Sequence, residues 1–211
     1  MRSAKSSSKR KPVVLVFGEN LNDSAAISHL ASFSNPKLKG RVRARPKPVS
    51  LTKDAGPPAV TRWLKDLLAT VVATEAGGQP VAAVLVHRDS DGVDPDGKVE
   101  KALQMQIQEL PGAVAVVPVQ ATESWWLLYP TAVESLSPLR WKGRLSRKSR
   151  EVDLIPHPKD ELKRATRPYE YSEADSRRIA ERIASGAHEQ CGTSGSFARF
   201  QARSREIDLR P

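Results

Sequence analysis

Short apolar runs alternate along the chain with longer segments in which apolar residues recur every three or four positions. The runs are typical of buried strands, and the segments between them are typical of amphipathic helices. Apolar strands are predicted over Val13–Phe17, Val81–His87 and 113–119. The segment 41–45 alternates arginine with apolar residues, so it is either an edge strand protected by charge or a ribbon that contacts phosphates. Helices are predicted between them over about 23–33, 59–75 and 98–110. This alternation predicts an α/β fold with a mostly parallel, four-stranded sheet and right-handed crossovers.

The last third of the chain lacks apolar runs of the strand type. After a short helix predicted over 121–129, with Thr122 as its N-cap, basic irregular sequence leads into further helices. These are predicted over 159–166, over 173–184 with Ser172 as N-cap, and from Ser196 onward. We expect one domain over 12–205, with a core over about 12–130, a helical extension over about 138–205, and a disordered basic tail over 1–11.

Acidic residues follow three of the four predicted strands. Glu19 comes after the first, Asp89 and Asp91 after the third, and Glu123 after the fourth. The carboxyl ends of parallel strands share one edge of a sheet, which is where ligands of such folds collect. Neighbouring carboxylates repel one another unless a cation lies between them, and Mg²⁺ or Mn²⁺ prefers oxygen ligands. The pattern therefore favours a divalent metal site, with an ordinary Asp-Gly turn after a core strand as the alternative.

Other residues near these strand ends allow two interpretations each. Asp23 either caps the first helix or joins the metal ligands. His87 either makes a backbone hydrogen bond or takes part directly in catalysis. Trp125 and Trp126 are expected in the core rather than in a base-stacking surface.

The charge balance favours a polyanionic partner. The chain has 34 Lys and Arg against 24 Asp and Glu, a formal net charge of +10, which suits nucleic acid. The single cysteine, Cys191, excludes an internal disulfide and fits a cytoplasmic location. No apolar run approaches the length of a membrane span.

Lys163 is a candidate for stabilising phosphoryl charge. The residues expected to contact nucleic acid are Arg41, Arg43, Arg45, Lys47, Arg88, Lys159 and Arg164.

A set of short motifs, taken in order and spacing, resembles the DUF4276 group. That group is similar to Toprim-type proteins and to the RloB-like and OLD-associated bacterial defence proteins. The resemblance extends over about residues 13–203. The motifs lie at 16–23 (VFGENLND), 87–91 (HRDSD), 123–128 (ESWWLL), 159–164 (KDELKR) and 194–200 (SGSFARF).

The resemblance implies a Toprim-like, three-layer Rossmannoid fold and assigns roles to the acidic residues. Toprim domains use a glutamate as general acid or base and an Asp-x-Asp pair as Mg²⁺ ligands, which correspond here to Glu19 and to Asp89 with Asp91. Glu123 is then a further candidate ligand. One feature departs from the usual order of Glu followed by Gly, because Phe17 occupies that slot and Glu19 follows Gly18.

These observations lead to a first hypothesis of a Mg²⁺-dependent, Toprim-like nuclease acting on DNA or RNA. The resemblance adds anti-phage defence and an ATPase partner of the ABC or AAA type. No tyrosine lies in a motif typical of a nucleophile, so hydrolysis is expected rather than covalent cleavage. The alternatives are a non-catalytic module that binds an ATPase or nucleic acid around a relic metal site, and a nucleotide-processing phosphotransferase. The sequence leaves open whether the chain forms a homo-oligomer.

Overall fold

A four-stranded sheet forms the centre of the molecule in the computed structural model, which describes residues 10–45, 56–94 and 96–210. All strand pairs are parallel, and the order across the sheet is β2-β1-β3-β4. The strands are β1 (Val13–Phe17), β2 (Val42–Arg45), β3 (Val81–His87) and β4 (Ala113–Val116). The predicted α/β class and parallel sheet are confirmed, and β2 lies at one edge of the sheet.

Helices follow each strand and then continue to the C-terminus. Those between strands are α1 (Leu21–Ser34), α2 (Pro57–Ala76) and α3 (Lys98–Ile107). After β4 come α4 (Glu123–Trp126), α5 (Pro130–Glu134), α6 (Pro138–Trp141), α7 (Pro158–Thr166), α8 (Ser176–Ala184) and α9 (Gly195–Glu206). Short 3₁₀ turns lie at Pro36–Leu38, Val152–Leu154 and Glu173–Asp175.

The two faces of the sheet are covered by different helices, which gives a three-layer arrangement. On one face, Trp63 and Leu67 of α2 pack with Leu15 of β1 and with Leu103 of α3. On the other face, α1 and α8 pack together, and their buried residues share one core with Val14 and Val16. The residues of β1 are buried on both faces because their side chains alternate between the two cores.

Several element boundaries differ from the predictions. The strand predicted to reach Val119 ends at Val116, since Pro118 has no N–H with which to continue the ladder. Asn20 caps α1 by accepting a hydrogen bond from the Asp23 amide, so the predicted cap at Asn22 or Asp23 was wrong. On α2, the apolar residues Leu68 and Val72 do not face the core and are 42% and 56% exposed.

The C-terminal helices pack through an aromatic group on α4. Trp125 is buried, and its ring centroid lies 5.1 Å from that of Phe197 and 5.2 Å from that of Phe200, both on α9. Trp126 is also fully buried, so the core position predicted for both tryptophans is confirmed. Ser194 caps α9 by accepting from the Phe197 amide.

None of the described helices has the length and apolar character needed to cross a membrane. Most of the predicted basic tail, and Lys47, lie outside the described residues.

Candidate active site at the carboxyl edge of the sheet

Gly18 makes the turn from β1 into α1 tight enough to place Glu19 beside β3. A side-chain carbon at Gly18 would lie 2.6 Å from the Ser24 amide nitrogen, which no other residue tolerates. The Gly18 amide donates to Ser24 Oγ at 2.8 Å and fixes the turn. Glu19 then reaches the end of β3, where its Oε1 accepts from the Asp89 amide at 3.4 Å. The order Gly18-Glu19 thus brings the glutamate to the third strand.

Asp89 is held by the start of α4. Its Oδ1 accepts from the Thr122 amide at 3.0 Å and from the Thr122 hydroxyl at 3.1 Å. The same oxygen lies 3.2 Å from His87 Nε2. Two hydrogen bonds from Thr122 and the ion pair with His87 therefore hold one carboxylate oxygen, and among the described residues Oδ2 is the oxygen left for a ligand.

His87 is a buried cation among these carboxylates. Its Nε2 lies 2.9 Å from Thr122 Oγ1, and its Nδ1 lies 4.0 Å from Asp23 Oδ2. Burial alone would lower the pKa of His87, but the hydrogen bond to Asp89 and the charges of Asp23, Asp89 and Glu19 outweigh burial and raise it to about 9. The imidazole is therefore protonated at neutral pH. Its Nδ1 is buried and has no hydrogen-bond partner among the described residues.

Glu123 lies in the first turn of α4 and is only 6% exposed. Its Oε1 accepts from the hydroxyl of Tyr171, at 3.0 Å. Burial and the charge of Asp89 raise the pKa of Glu123, while the hydrogen bond from Tyr171 and the charge of Lys159 oppose that rise. We call Glu19, Asp23, Asp89 and Glu123 the acidic cluster.

The members of the acidic cluster repel one another. Burial, followed by the charge of Asp89, raises the pKa of Glu19. Burial also raises the pKa of Asp23, and the charges of Asp89 and Glu173 add to this effect although His87 opposes it. Residues from the ends of β1 and β3 and from the starts of α1 and α4 therefore form one electrostatic unit around His87.

The C-terminal helices contribute charge to the same edge. Lys159, in the first turn of α7, forms an ion pair with Glu173. This contact raises the pKa of Lys159, and the charges of Glu123 and Asp89 add to the effect, so the acidic cluster favours the charged lysine. Lys163 lies one turn further along α7 and is half-buried. Lys159 is thus the lysine of α7 that the structure links to the acidic cluster.

Asp91 occupies a strained position on a paired loop. Its backbone is left-handed (φ 53°), and its amide donates to the carbonyl of Gln120, which is also left-handed (φ 66°). The side chain of Asp91 is exposed, and its negative charge contributes to the raised pKa of Glu19. The two loops that follow β3 and β4 therefore support each other at the edge of the site.

The donor chemistry of this edge suits a hard divalent cation, but the spacing of the side chains is not preformed. Carboxylate oxygens are the ligands that Mg²⁺ and Mn²⁺ prefer. Within residues 10–45, 56–94 and 96–210, no group of three His, Cys, Asp or Glu side chains has a geometry that could hold a metal ion. Asp91 is exposed and Glu19 is partly exposed, so both side chains are accessible to solvent at this edge.

The basic residues expected to contact nucleic acid lie on three different elements. Arg43 is exposed on β2, whereas Arg45 is partly buried and its Nη2 donates to Thr74 Oγ1 at 3.4 Å. Arg88 directly follows β3, and its amide donates to the carbonyl of Val116. Arg164 is exposed on α7, which also carries Lys159. Arg41 precedes β2 and is partly exposed.

Sequence reasoning did not anticipate several contacts of this edge. Thr122 was predicted to cap α4, but its hydroxyl makes no capping bond and instead joins His87 to Asp89. Tyr171 and Glu173 were assigned no part in the site. Both belong to a turn far along the chain from Glu123 and Asp23, so no local pattern identifies them.

The comparisons with known proteins assign no family. No family model matches the chain. No curated protein and no solved structure matches it either. What the edge of the sheet does must therefore be argued from its own residues.

Proposed function

We propose that the acidic cluster is the catalytic centre of a divalent-metal-dependent phosphodiesterase, of the Toprim-like nuclease type, that acts on nucleic acid. The observation that carries the proposal is the convergence of Glu19 and Glu123 on Asp89, which itself pairs with the buried His87, at the ends of three neighbouring strands. Crowding buried carboxylates costs folding free energy, and clusters of perturbed carboxylates are typical of catalytic sites.

A divalent cation bound at this edge would neutralise phosphate charge and lower the pKa of a water molecule. Asp89 and Asp91, with Glu123, would be its ligands. The metal-facing oxygen of Asp89 is oriented by the bonds that Thr122 and His87 make to its other oxygen. Such hydrogen bonds to ligands tune metal sites in other proteins.

The remaining side chains would serve proton transfer and charge. Burial and Asp89 raise the pKa of Glu19, which brings this carboxylate nearer to the neutral range where a general base is most effective. Lys159 would stabilise the additional charge of the phosphoryl group. Arg43 and Arg164 are exposed and suited to contact the nucleic-acid backbone.

The resemblance extends this proposal to anti-phage defence beside an ABC- or AAA-type ATPase. A second candidate is a non-catalytic module that binds such a partner or nucleic acid. One observation favours it: Asp89 Oδ1 already accepts two hydrogen bonds from Thr122 and forms an ion pair with His87, so a structural role satisfies that oxygen without a metal.

The experiment that tests the proposal is a cleavage assay of the full chain on plasmid DNA and on RNA, with Mg²⁺, Mn²⁺ or EDTA. Asp89→Asn and Glu19→Gln keep the shape of each side chain and remove its charge. We expect cleavage that requires metal and falls by roughly a hundredfold or more in both variants.

Glu109→Gln is the matched control, since Glu109 is an exposed acid beyond the C-terminal end of α3, at the opposite edge of the sheet. It should cleave like the wild type. Intact substrates with every metal, together with a retained gel shift of nucleic acid, would instead support the non-catalytic module. A pull-down with the ATPase partner would then be the next measurement.

A further inference from the structure

Tyr171 is the buried centre of a hydrogen-bond group that joins three helices. Its side chain is 1% exposed, and its hydroxyl lies 3.0 Å from Glu123 Oε1 and 2.7 Å from Ser176 Oγ. Its amide donates to Thr166 Oγ1 at 2.7 Å. The start of α4, the end of α7 and the start of α8 therefore meet at one residue.

The direction of each hydrogen bond follows from the number of protons. Burial, and then the charge of Glu123, raise the pKa of Tyr171 far above its ordinary value, so the phenol keeps its proton. Because Glu123 Oε1 can only accept as a carboxylate, the phenol donates to it. The Ser176 hydroxyl then donates to the phenol oxygen, so that both polar atoms of this buried pair are satisfied.

A purely structural role would not require this choice of partner. A phenylalanine would fill the same volume, and a buried phenol needs only one acceptor, such as a backbone carbonyl. Here the acceptor is instead a buried carboxylate of the acidic cluster, at a separation of 48 residues along the chain. The bond fixes one oxygen of the Glu123 carboxylate, Oε1.

We propose that Tyr171 is a positioning residue, which holds the Glu123 carboxylate in the orientation that the reaction of the acidic cluster requires. This inference rests on the proposed function. It also implies that the turn between α7 and α8 completes the site, since the sheet and its crossover helices supply no equivalent donor to Glu123 Oε1 among the described residues. Side chains locked in this way lose little freedom when substrate binds.

The test compares Tyr171→Phe with Tyr129→Phe. Tyr129 is a matched control because it is also buried and its hydroxyl also bonds a side chain, Gln190 Oε1 at 3.2 Å, outside the acidic cluster. We expect Tyr171→Phe to lower kcat by roughly 10- to 100-fold with KM within about twofold of wild type. Tyr129→Phe should leave both constants unchanged. Equal kcat for the two variants would overturn the proposal.

A second measurement separates this proposal from the proposed function. The ¹³C carboxyl resonance of Glu123, recorded at fixed pH, reports its hydrogen bond whether or not the protein cleaves anything. A shift in Tyr171→Phe with none in Tyr129→Phe would support positioning even if no substrate is cleaved. Whether the protein cleaves nucleic acid at all is decided separately, by the cleavage assay of the wild type. An unmoved Glu123 resonance in Tyr171→Phe would overturn it.

Discussion

Buried carboxylates occur in two kinds of surroundings in this protein. Glu100 on α3 pairs with Arg199 and Arg203 of α9, and Glu134 pairs with Arg147. Asp153 has no cationic partner among the described residues, but its two oxygens accept from the Ser194 and Ser196 hydroxyls and from the Ser196 amide. Each of these acids has its own donors, and each joins parts of the chain that are distant in sequence.

The acidic cluster is arranged differently. Burial and the charge of Asp89 raise the pKa values of Glu19, Asp23 and Glu123, and the acids Glu19, Asp23 and Asp89 share His87 as their buried cation. Dedicated donors stabilise a fold, whereas shared donors leave part of the repulsion in place. Asp153 and Glu100 therefore stabilise the structure, whereas the acidic cluster costs folding free energy, which a function would explain.

The largest expected effect is on stability and comes from Asp153→Ala. The substitution removes the acceptor of the Ser196 amide and of the Ser194 and Ser196 hydroxyls, which keep only the bond to each other. We expect a loss of about 3 kcal/mol in the free energy of unfolding, measured by urea denaturation. Cleavage activity per folded molecule should not change. If activity fell while stability held, Asp153 would belong with the acidic cluster and the comparison would fail.

The next effect is on activity and comes from Thr122→Val, which removes the hydroxyl between His87 and Asp89 while keeping the side-chain shape. We expect cleavage to fall by roughly 10- to 100-fold because Asp89 loses a donor that orients it. Thr70→Val is the control, since the Thr70 hydroxyl only donates to the Asp66 carbonyl within α2. Equal activity in the two variants would show that the orientation of Asp89 does not matter.

A third prediction concerns pH, because His87 has a pKa of about 9 in the folded chain against an ordinary value of 6.5. A pKa that folding raises stabilises the folded state fully below the unfolded value, and this contribution is lost as the pH rises through the folded value. Stability should therefore fall between about pH 6.5 and pH 9, by on the order of 2 kcal/mol.

Urea denaturation at several pH values measures this decline, and His87→Gln should flatten it. Direct titration of the His87 imidazole by NMR gives the same answer without a variant. A pKa near 6.5 would mean that the carboxylates of Asp23, Asp89 and Glu19 do not hold the proton, and the acidic cluster would lose its buried cation.

The sheet and its edge were predictable from sequence because their signals are local. Three apolar runs and one alternating basic segment, each followed by helical periodicity, were enough to predict parallel strands, and the residues directly after each strand had to lie at one edge. The prediction failed where local rules compete: Asn20, rather than Asp23, caps α1 because the turn at Gly18 starts the helix earlier.

The contacts within the site could not be predicted in the same way. Thr122 follows a helix-capping pattern, and only the position of β3 beside it turns its hydroxyl toward His87 and Asp89. Tyr171 meets Glu123 through packing of α7 and α8 against α4, which no spacing in the sequence records. Local patterns give elements, whereas partners across elements depend on tertiary packing.

The smallest expected effect has the opposite sign and comes from Glu123→Gln. Burial and Asp89 raise the pKa of Glu123, so its contribution to stability is complete at low pH and is lost as the pH rises through the folded pKa. At neutral pH the charged form costs stability, and Gln removes the charge while its amide oxygen still accepts from Tyr171. We expect a midpoint of thermal unfolding a few degrees above the wild type, together with reduced cleavage.

Glu100→Gln, which weakens the ion pairs to Arg199 and Arg203, should lower the midpoint instead. If both substitutions lowered the midpoint of thermal unfolding, the charges of Glu123 and Glu100 would both stabilise the fold, and the two kinds of buried carboxylate would not differ.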